Sequence, residues 1–232
     1  MQLAKQLLIG EYMASDYHWI RKYIPEERKF RGKDYFFIKR AFDLFLVILS
    51  MIFWLPLIGL IALAIKISSP GAPVMFIQKR TGKGGRRFSM YKFRTMVPNA
   101  EALKEKYAHL NELTWPDFKI SNDPRVTPIG RLLRKTSLDE IPQLINILIG
   151  DMSLVGPRPT FFSSDEYQLW HTARLDVLPG ITGLWQITAR STVDWDNRSR
   201  LDIVYVERRC FSLDLEILFR TIEVVLLTRG AR

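Results

Sequence analysis

The strongest hydrophobic signal in the chain is "LFLVILSMIFWLPLIGLIALAI", Leu44–Ile65, a run without a charge. As one continuous helix it would reach about 33 Å, enough to cross the hydrocarbon layer of a bilayer. It follows a long charged stretch, which does not fit a cleaved signal peptide, so the run is expected to be retained. Pro56 near its middle removes a backbone donor and clashes with the preceding turn, which predicts a break at Leu55 and Pro56. Arg21, Lys22, Arg28, Lys29, Arg31, Lys33, Lys39 and Arg40 precede the run; Lys66, Lys79, Arg80, Lys83, Arg86 and Arg87 follow it. Both flanks read as cytoplasmic under the positive-inside rule. A segment with two inside ends enters and leaves by one face, as a re-entrant helix-break-helix hairpin; a simple span with a tolerated proline is the competing reading. Asp43, just inside the run, has Lys39 at i−4 and Arg40 at i−3, an ion pair that would anchor the entry angle.

Residues 1–38 are mixed in charge and read as short helices with a charged linker, and the membrane hairpin is placed at 39–69. Pro70, Gly71 and Pro73 stop its second helix. "VMFIQ" and "RFSMYKFRTM" flank the Gly-rich "TGKGG", which predicts a β-hairpin. Lys92 and Arg94, two apart on its second strand, share a face. "AEALKEKYAHLNEL" predicts a charged surface helix. "DPRVTPIGRLLRK" begins as proline-stiffened coil and becomes a basic helical turn with Arg131 and Arg134 at i and i+3. "GDMSLVGPRPT" and "LPGITGLWQITAR" predict ordered loops rather than regular elements. "SLDLEILFRTIEVVLLTRGAR" carries Leu215, Leu218, Phe219, Ile222 and Leu226 at amphipathic helical spacing, suited equally to a core-facing helix and to a membrane surface. The class is α+β, mainly helical, with residues 70–232 forming one domain beside the membrane.

Composition narrows the partners. With 47% hydrophobic and 12% aromatic residues the chain can build a core, which excludes wholesale disorder. A formal charge of +10 calls for an anionic partner: nucleic acid, lipid headgroups or a phosphorylated substrate. A lone cysteine, Cys210, permits no internal disulfide, and His18, His109 and His171 show no zinc spacing, so these four are assigned structural roles.

Candidate chemistry lies in "RKTSLDEIPQLINIL", where Asp139 and Glu140 stand between cations and an apolar run. "SLDE" fits a capping box made by Ser137 and Glu140. Pro142 favours a helix start at Asp139 instead, where its missing donor is free anyway. That register puts Asp139 at the positive end of the helix dipole, a place that keeps a carboxylate ionised and accepts phosphate. Asp139, Gln143 and Asn146, at i, i+4 and i+7, form a polar stripe that needs partners; a functional site and a buried structural network both account for it. In "GPRP" the proline after Arg158 holds its backbone extended and presents a planar fork suited to phosphate. Lys92, Arg94, Arg134 and Arg158 are the candidate phosphate-binding cations, with solvated surface charge or a loop tie as the plainer reading. A carboxylate attacks a phosphoryl group only where cations and a divalent ion screen the repulsion. Mg2+, which takes one or two carboxylates plus substrate phosphate oxygens, suits Asp139 and Glu140 as ligands.

"KFRTM", "KTSLDEIPQLIN", "GDMSLVGPRP" and "PGITGLWQ", in this order after an apolar segment with a central proline, resemble the bacterial sugar transferases, the monotopic phosphoglycosyl transferases. The likeness covers roughly residues 39–229. It implies transfer of a sugar-1-phosphate from a UDP-sugar to a polyprenol phosphate such as undecaprenyl phosphate, with release of UMP. The setting it implies is the cytoplasmic face of the bacterial inner membrane, at the first membrane step of glycan assembly. Asp139 matches the family nucleophile that carries a covalent phosphosugar. Glu140 matches its partner in metal placement or proton removal, and Lys92, Arg134 and Arg158 match positions that hold phosphate and the dyad. Thr188 and Ala189 before Arg190 replace the small pair of many hexose-using members, which leaves the sugar open. Membrane lipid is an expected partner and nucleic acid is not; a homodimer is compatible with the chain and specified by no motif in it. A basic binding module without catalysis, and a glycosyltransferase releasing UDP, are the competing classes.

Overall fold

The apolar run builds two helices, α1 (Gly32–Leu49) and α2 (Met51–Ser68), in a computed structural model that describes residues 18–27, 29–30, 32–112, 118–188 and 194–226. Readings on residues 1–17, Arg28, Arg31, Ala189, Arg190 and 227–232 lie outside the described residues. The helices meet at Ser50, and Pro56 lies inside α2, which corrects the expected break at Leu55 and Pro56. The reason is local. Ser50 Oγ donates to the carbonyls of Leu46 (2.7 Å) and Val47 (3.2 Å), and Trp54 Nε1 donates to Val47 at 2.9 Å. These side chains satisfy carbonyls at the interruption, whereas Pro56 deprives only the Ile52 carbonyl of its helical donor.

Both helices pack on one body. Tyr35, Lys39, Asp43 and Val47, spaced by four, form the buried face of α1, and Trp54, Ile61 and Ile65 that of α2. Lys39 Nζ lies 3.3 Å from Asp214 and 3.9 Å from Asp43. Tyr35 and Tyr205 donate to Asp214 at 2.8 and 2.7 Å, and Ser153 donates to Asp43 at 2.6 Å. Asp43 therefore pairs with Lys39 as its spacing predicts, while Arg40 turns away to the carbonyls of Ile147 and Leu148. The outer faces expose Phe45, Ile48, Leu49, Ile52, Phe53, Leu60, Leu63 and Ile67. Among the described residues α2 is the one helix long and apolar enough to cross a membrane, with mean hydropathy 2.1.

The expected β-hairpin is present: β1 (Met75–Thr81) pairs antiparallel with β2 (Arg87–Phe93), Phe76 opposite Lys92 and Arg80 opposite Phe88. Next come α3 (Pro128–Lys135) and α4 (Gln143–Ile149). β3 (Ser153–Val155) pairs in parallel with β4 (Gly180–Thr182), followed by α5 (Leu184–Thr188), α6 (Trp195–Arg208) and α7 (Phe211–Leu226). These strands correct the expectation of two irregular loops. Glycine makes the pairing close: a Cβ on Gly180 would lie 2.1 Å from the Gly156 nitrogen. The described part of "AEALKEKYAHLNEL", residues 100–112, forms turns and a short 3-10 helix, Ala108–Leu110, in place of the expected helix. Between Glu101 and Glu112 only Leu103, Tyr107 and Asn111 are even half-buried, too little packing to stabilise so short a helix.

The main core joins α6 and α7 to β3 through Leu201, Val204, Tyr205, Leu213, Ile217 and Val155. Ile20 is fully buried in it, and Arg208 donates to the carbonyls of Ile20, Arg21 and Tyr23. This part of the N-terminal extension is thus built into the domain rather than standing off as a linker. Two smaller cores, one around Val47, Trp54, Met90 and Ile147 and one around Ile61, Ile65, Phe93 and Leu133, seat α1 and α2 on β2, α3 and α4. On α7, Leu213 and Ile217 face the core while Phe219, Ile222 and Val225 face outward, so the helix has two apolar sides.

Candidate functional site

Thr127 caps α3, its hydroxyl accepting from Gly130 N at 3.0 Å, and Pro128 supplies the first helical residue. Gly130 rests on the strand end, where a Cβ would come within 2.0 Å of the Thr95 carbonyl oxygen. That approach brings Arg134, one turn on, to donate from Nε to Thr95 Oγ1 at 2.9 Å. The chain then turns through Ser137, whose φ of 58° is left-handed. Ser137 makes no side-chain cap, so the capping box is not formed. Leu138–Glu140 is a 3-10 turn, and α4 starts at Gln143 rather than at Asp139. Pro142 accounts for both: it has no N–H to offer the Leu138 carbonyl, which accepts instead from Ile141 at 3.3 Å.

The polar stripe has a structural member. Asn146, fully buried, donates to the Ser89 carbonyl at 2.7 Å and accepts from Tyr91 N at 3.0 Å. It lays α4 along β2 and so brings Lys92 opposite the dyad. Gln143 is buried beside it, its Nε2 without a partner among the described residues.

Lys92 Nζ lies 2.6 Å from Glu140 Oε1; Arg158 Nη2 pairs with the same oxygen and Nη1 lies 3.2 Å from Oε2. Arg158 is held from both sides of its loop. Gly156 N donates to Thr182 O at 2.9 Å and Gly180 N to Pro157 O at 3.0 Å, while Thr81 N donates to Thr160 O at 2.9 Å. Burial would raise the Glu140 carboxyl, but the Arg158 and Lys92 charges outweigh it and hold it well below the usual carboxylate range. Burial draws the Lys92 ammonium down. Against the pull of burial, Glu140 keeps the Arg158 guanidinium above its ordinary value.

Asp139 is different. Half-buried, it takes no hydrogen bond or ion pair from a described residue. Burial raises its carboxyl, with Lys92 opposing, Glu140 adding to the rise, and Arg158 and Arg134 opposing as well. Three predicted cations therefore surround the dyad. Arg94 is not among them: β2 ends at Phe93, so spacing by two no longer keeps Arg94 beside Lys92. Its side chain is buried, which lowers its guanidinium, and Nη1 and Nη2 have no partner among the described residues. Arg131 is exposed on α3.

Arg80 was missed. It donates to Gln78 Oε1 at 2.5 Å and to the Pro159 carbonyl at 3.4 Å. Burial, then repulsion from Arg158, lowers it to about 10. The hairpin register was the available signal: alternation places Phe76 and Arg80 on one face of β1, and Lys92 is the cross-strand partner of Phe76.

No cluster of three or more His, Cys, Asp or Glu able to hold a metal occurs among the described residues. Among the described residues, none engages either Asp139 oxygen, and Glu140 Oε2 accepts only from Arg158. This donor set suits an ion that takes few carboxylates and completes its shell with water and phosphate oxygens, so the residues fit Mg2+.

Fold and site together define an anion-handling α+β domain carrying an apolar helix pair. The profile described as "Bacterial sugar transferase" matches residues 34–228, and the chain belongs to that family. The match covers nearly the stretch, roughly residues 39–229, over which the motifs carry the resemblance. Among its relatives is the undecaprenyl-phosphate galactose phosphotransferase of Salmonella typhimurium, 46% identical over 202 residues, 84% of this chain and 42% of that protein. The exopolysaccharide production protein ExoY of Rhizobium meliloti is 40% identical over 200 residues, 83% of this chain and 87% of that protein. A third relative is the UDP-N-acetylgalactosamine-undecaprenyl-phosphate N-acetylgalactosaminephosphotransferase of Aeromonas hydrophila, 38% identical over 205 residues. The chain spans 42% of the Salmonella protein and 46% of the Aeromonas protein, less than half of each.

Proposed function

We propose that the protein is a phosphoglycosyl transferase that moves a sugar-1-phosphate from a UDP-sugar to a polyprenol phosphate at the cytoplasmic face of a bacterial inner membrane. The carrying observation is the division of labour in the dyad: Glu140 is clamped by Lys92 and Arg158, and Asp139 beside it is open. Two clamped carboxylates would make a structural cluster; one clamped and one free make a nucleophile in a cationic surround.

An Asp139 oxygen attacks the phosphorus that bears the sugar. The bond from that phosphorus to the bridging oxygen breaks, and UMP leaves with the electron pair. An oxygen of the lipid phosphate then attacks the same phosphorus, the bond to Asp139 breaks, and the carboxylate is regenerated. Lys92, Arg158 and Arg134 lower the repulsion between Asp139 and the incoming diphosphate. Bound through Asp139 and the open side of Glu140, Mg2+ would supply further charge neutralisation on the phosphate oxygens.

A re-entrant hairpin is supported by where the apolar helices are seated. Buried side chains run along both helices, from Tyr35 to Val47 on α1 and from Trp54 to Ile65 on α2, against the same domain, and one domain lies on one side of a bilayer. Expressed with both flanks tagged, the hairpin leaves both tags accessible from the cytoplasm; a span leaves one.

The deciding test is nucleotide release from UDP-galactose and UDP-N-acetylgalactosamine by wild-type and Asp139→Asn protein, with undecaprenyl phosphate and magnesium. UMP release that Asp139→Asn abolishes supports the reading. UDP release, or undiminished turnover in the variant, overturns it.

A further inference from the structure

Behind the site lies a buried ion pair that the mechanism above does not use. Arg174, in the 3-10 segment Leu169–Asp176, pairs with Asp202 of α6; their side chains are 3% and 0% exposed. The Arg174 group that meets Asp202, Nη2, also donates to the carbonyl of Arg158 at 2.7 Å. The guanidinium lies over the Trp195 ring, 4.9 Å from its centroid, which fixes its plane.

As a stabilising device the pair is poor. Arg174 Nε and Nη1 and Asp202 Oδ1 have no partner among the described residues. A half-satisfied buried ion pair costs its desolvation, and well-packed apolar residues commonly serve stability as well or better. What it does supply is position. Arg158 stands between two prolines, so its carbonyl is a natural handle on the loop, and its guanidinium grips Glu140. Arg80 holds the next carbonyl, Pro159, from the other side.

We infer that Arg174 and Asp202 are positioning residues that aim Arg158 at the dyad. In the transferase reading, on which the catalytic part of this inference rests, they act on the reaction only through Arg158. Arg174→Met/Asp202→Leu, an apolar pair, is expected to fold with a Tm close to wild type. Its kcat for UMP release should fall about 100-fold, the scale of a small misplacement at a reacting centre, with a much smaller change in KM for the donor. Arg174→Lys, which keeps the charge but lacks the planar group that the Trp195 ring holds in place between Asp202 and the carbonyl, should lose kcat too. In an Arg158→Lys background the added Arg174→Lys should cost little further, because the two act in series.

A second readout needs no turnover. The fall in Tm caused by Glu140→Gln should shrink to roughly half in the apolar-pair background, since the Glu140–Arg158 contact is already weakened there. If wild-type protein releases no UMP, the transferase reading fails, and this coupling alone decides the positioning role. Wild-type kcat in both Arg174 variants, full additivity with Arg158→Lys, or an undiminished Glu140→Gln effect overturns it. So does a kcat loss that only follows a loss of Tm and is absent in Arg174→Lys.

Discussion

Glu140→Gln removes one charge and leaves two cations facing each other. Glu140 and Lys92 are each 17% exposed at the side chain and Arg158 is 30% exposed, so the cluster is poorly screened by solvent. Removing one partner of a buried ion pair costs about 3–5 kcal/mol; the partial exposure of Arg158 and the acceptor oxygen kept by Gln favour the lower end. For a chain of this size that is a fall in Tm of roughly 6–12 °C. The pH dependence makes the attribution specific. The folded-state Glu140 carboxyl is held below its ordinary value of 4.5, so its stabilisation is present above that pH and is lost as pH falls toward the lower folded value. Between pH 4.5 and pH 3 the wild type should lose about 2 kcal/mol of its advantage over Glu140→Gln. The assay is thermal unfolding followed by tryptophan fluorescence, in nanodiscs without magnesium, across pH 3 to 7. A variant as stable as wild type at pH 7, or a gap that stays constant with pH, would refute the clamp.

Asn146→Ala should destabilise by about 2–4 kcal/mol, because it strands the buried backbone groups of Ser89 and Tyr91; urea unfolding measures it, and a change under 1 kcal/mol would contradict the clip. Gly130→Ala places a methyl 2.0 Å from the Thr95 oxygen and must push α3 off the strand end, so Tm and UMP release should both fall, whereas the helix-favouring Ala would raise Tm if that contact were loose. Ile20→Ala should cost about 2–5 kcal/mol if the extension is built into the core, and close to nothing if it is a linker. Asp202 is raised by burial to about 6 from 3.8, so its contribution to stability is present below pH 3.8 and lost as pH rises through 6. Asp202→Asn should therefore gain about 2 kcal/mol relative to wild type between pH 4 and pH 7, and a flat difference would count against that shift.

The dyad, the proline-framed Arg158 and the β-hairpin were legible because each is written in adjacent or nearly adjacent residues whose backbone chemistry leaves few alternatives. The partners were not, since the contacts that sort the cations are distant along the chain: Lys92 and Glu140 are 48 residues apart and Arg174 and Asp202 are 28 apart. Spacing by two could place Lys92 and Arg94 on one face only while a strand lasts, and the strand ends between them. The same limit explains Pro56. A proline is a reliable mark of a missing donor, but where a helix breaks depends on which carbonyls find substitutes, and here the Ser50 hydroxyl and the Trp54 indole provide them earlier in the run.

Glycine carries the least visible part of the code. In "PIGR" and "GPRP…PGIT" the residues read as a weak helix former and as loop punctuation, yet Gly130, Gly156 and Gly180 sit where a Cβ would come within 2.0 to 2.5 Å of another backbone. They are close approaches between segments remote in sequence, and each one sets a cation: Gly130 lets Arg134 reach Thr95, and the Gly156–Gly180 contact fixes the loop that carries Arg158. The charges that make the site are therefore read from the sequence directly, while the residues that aim them show only as an absence of side chain. Substituting those glycines with Ala should change the placement of Arg134 and Arg158 without touching a charge, and it is the orientation of the cations, not their number, that the transfer chemistry depends on.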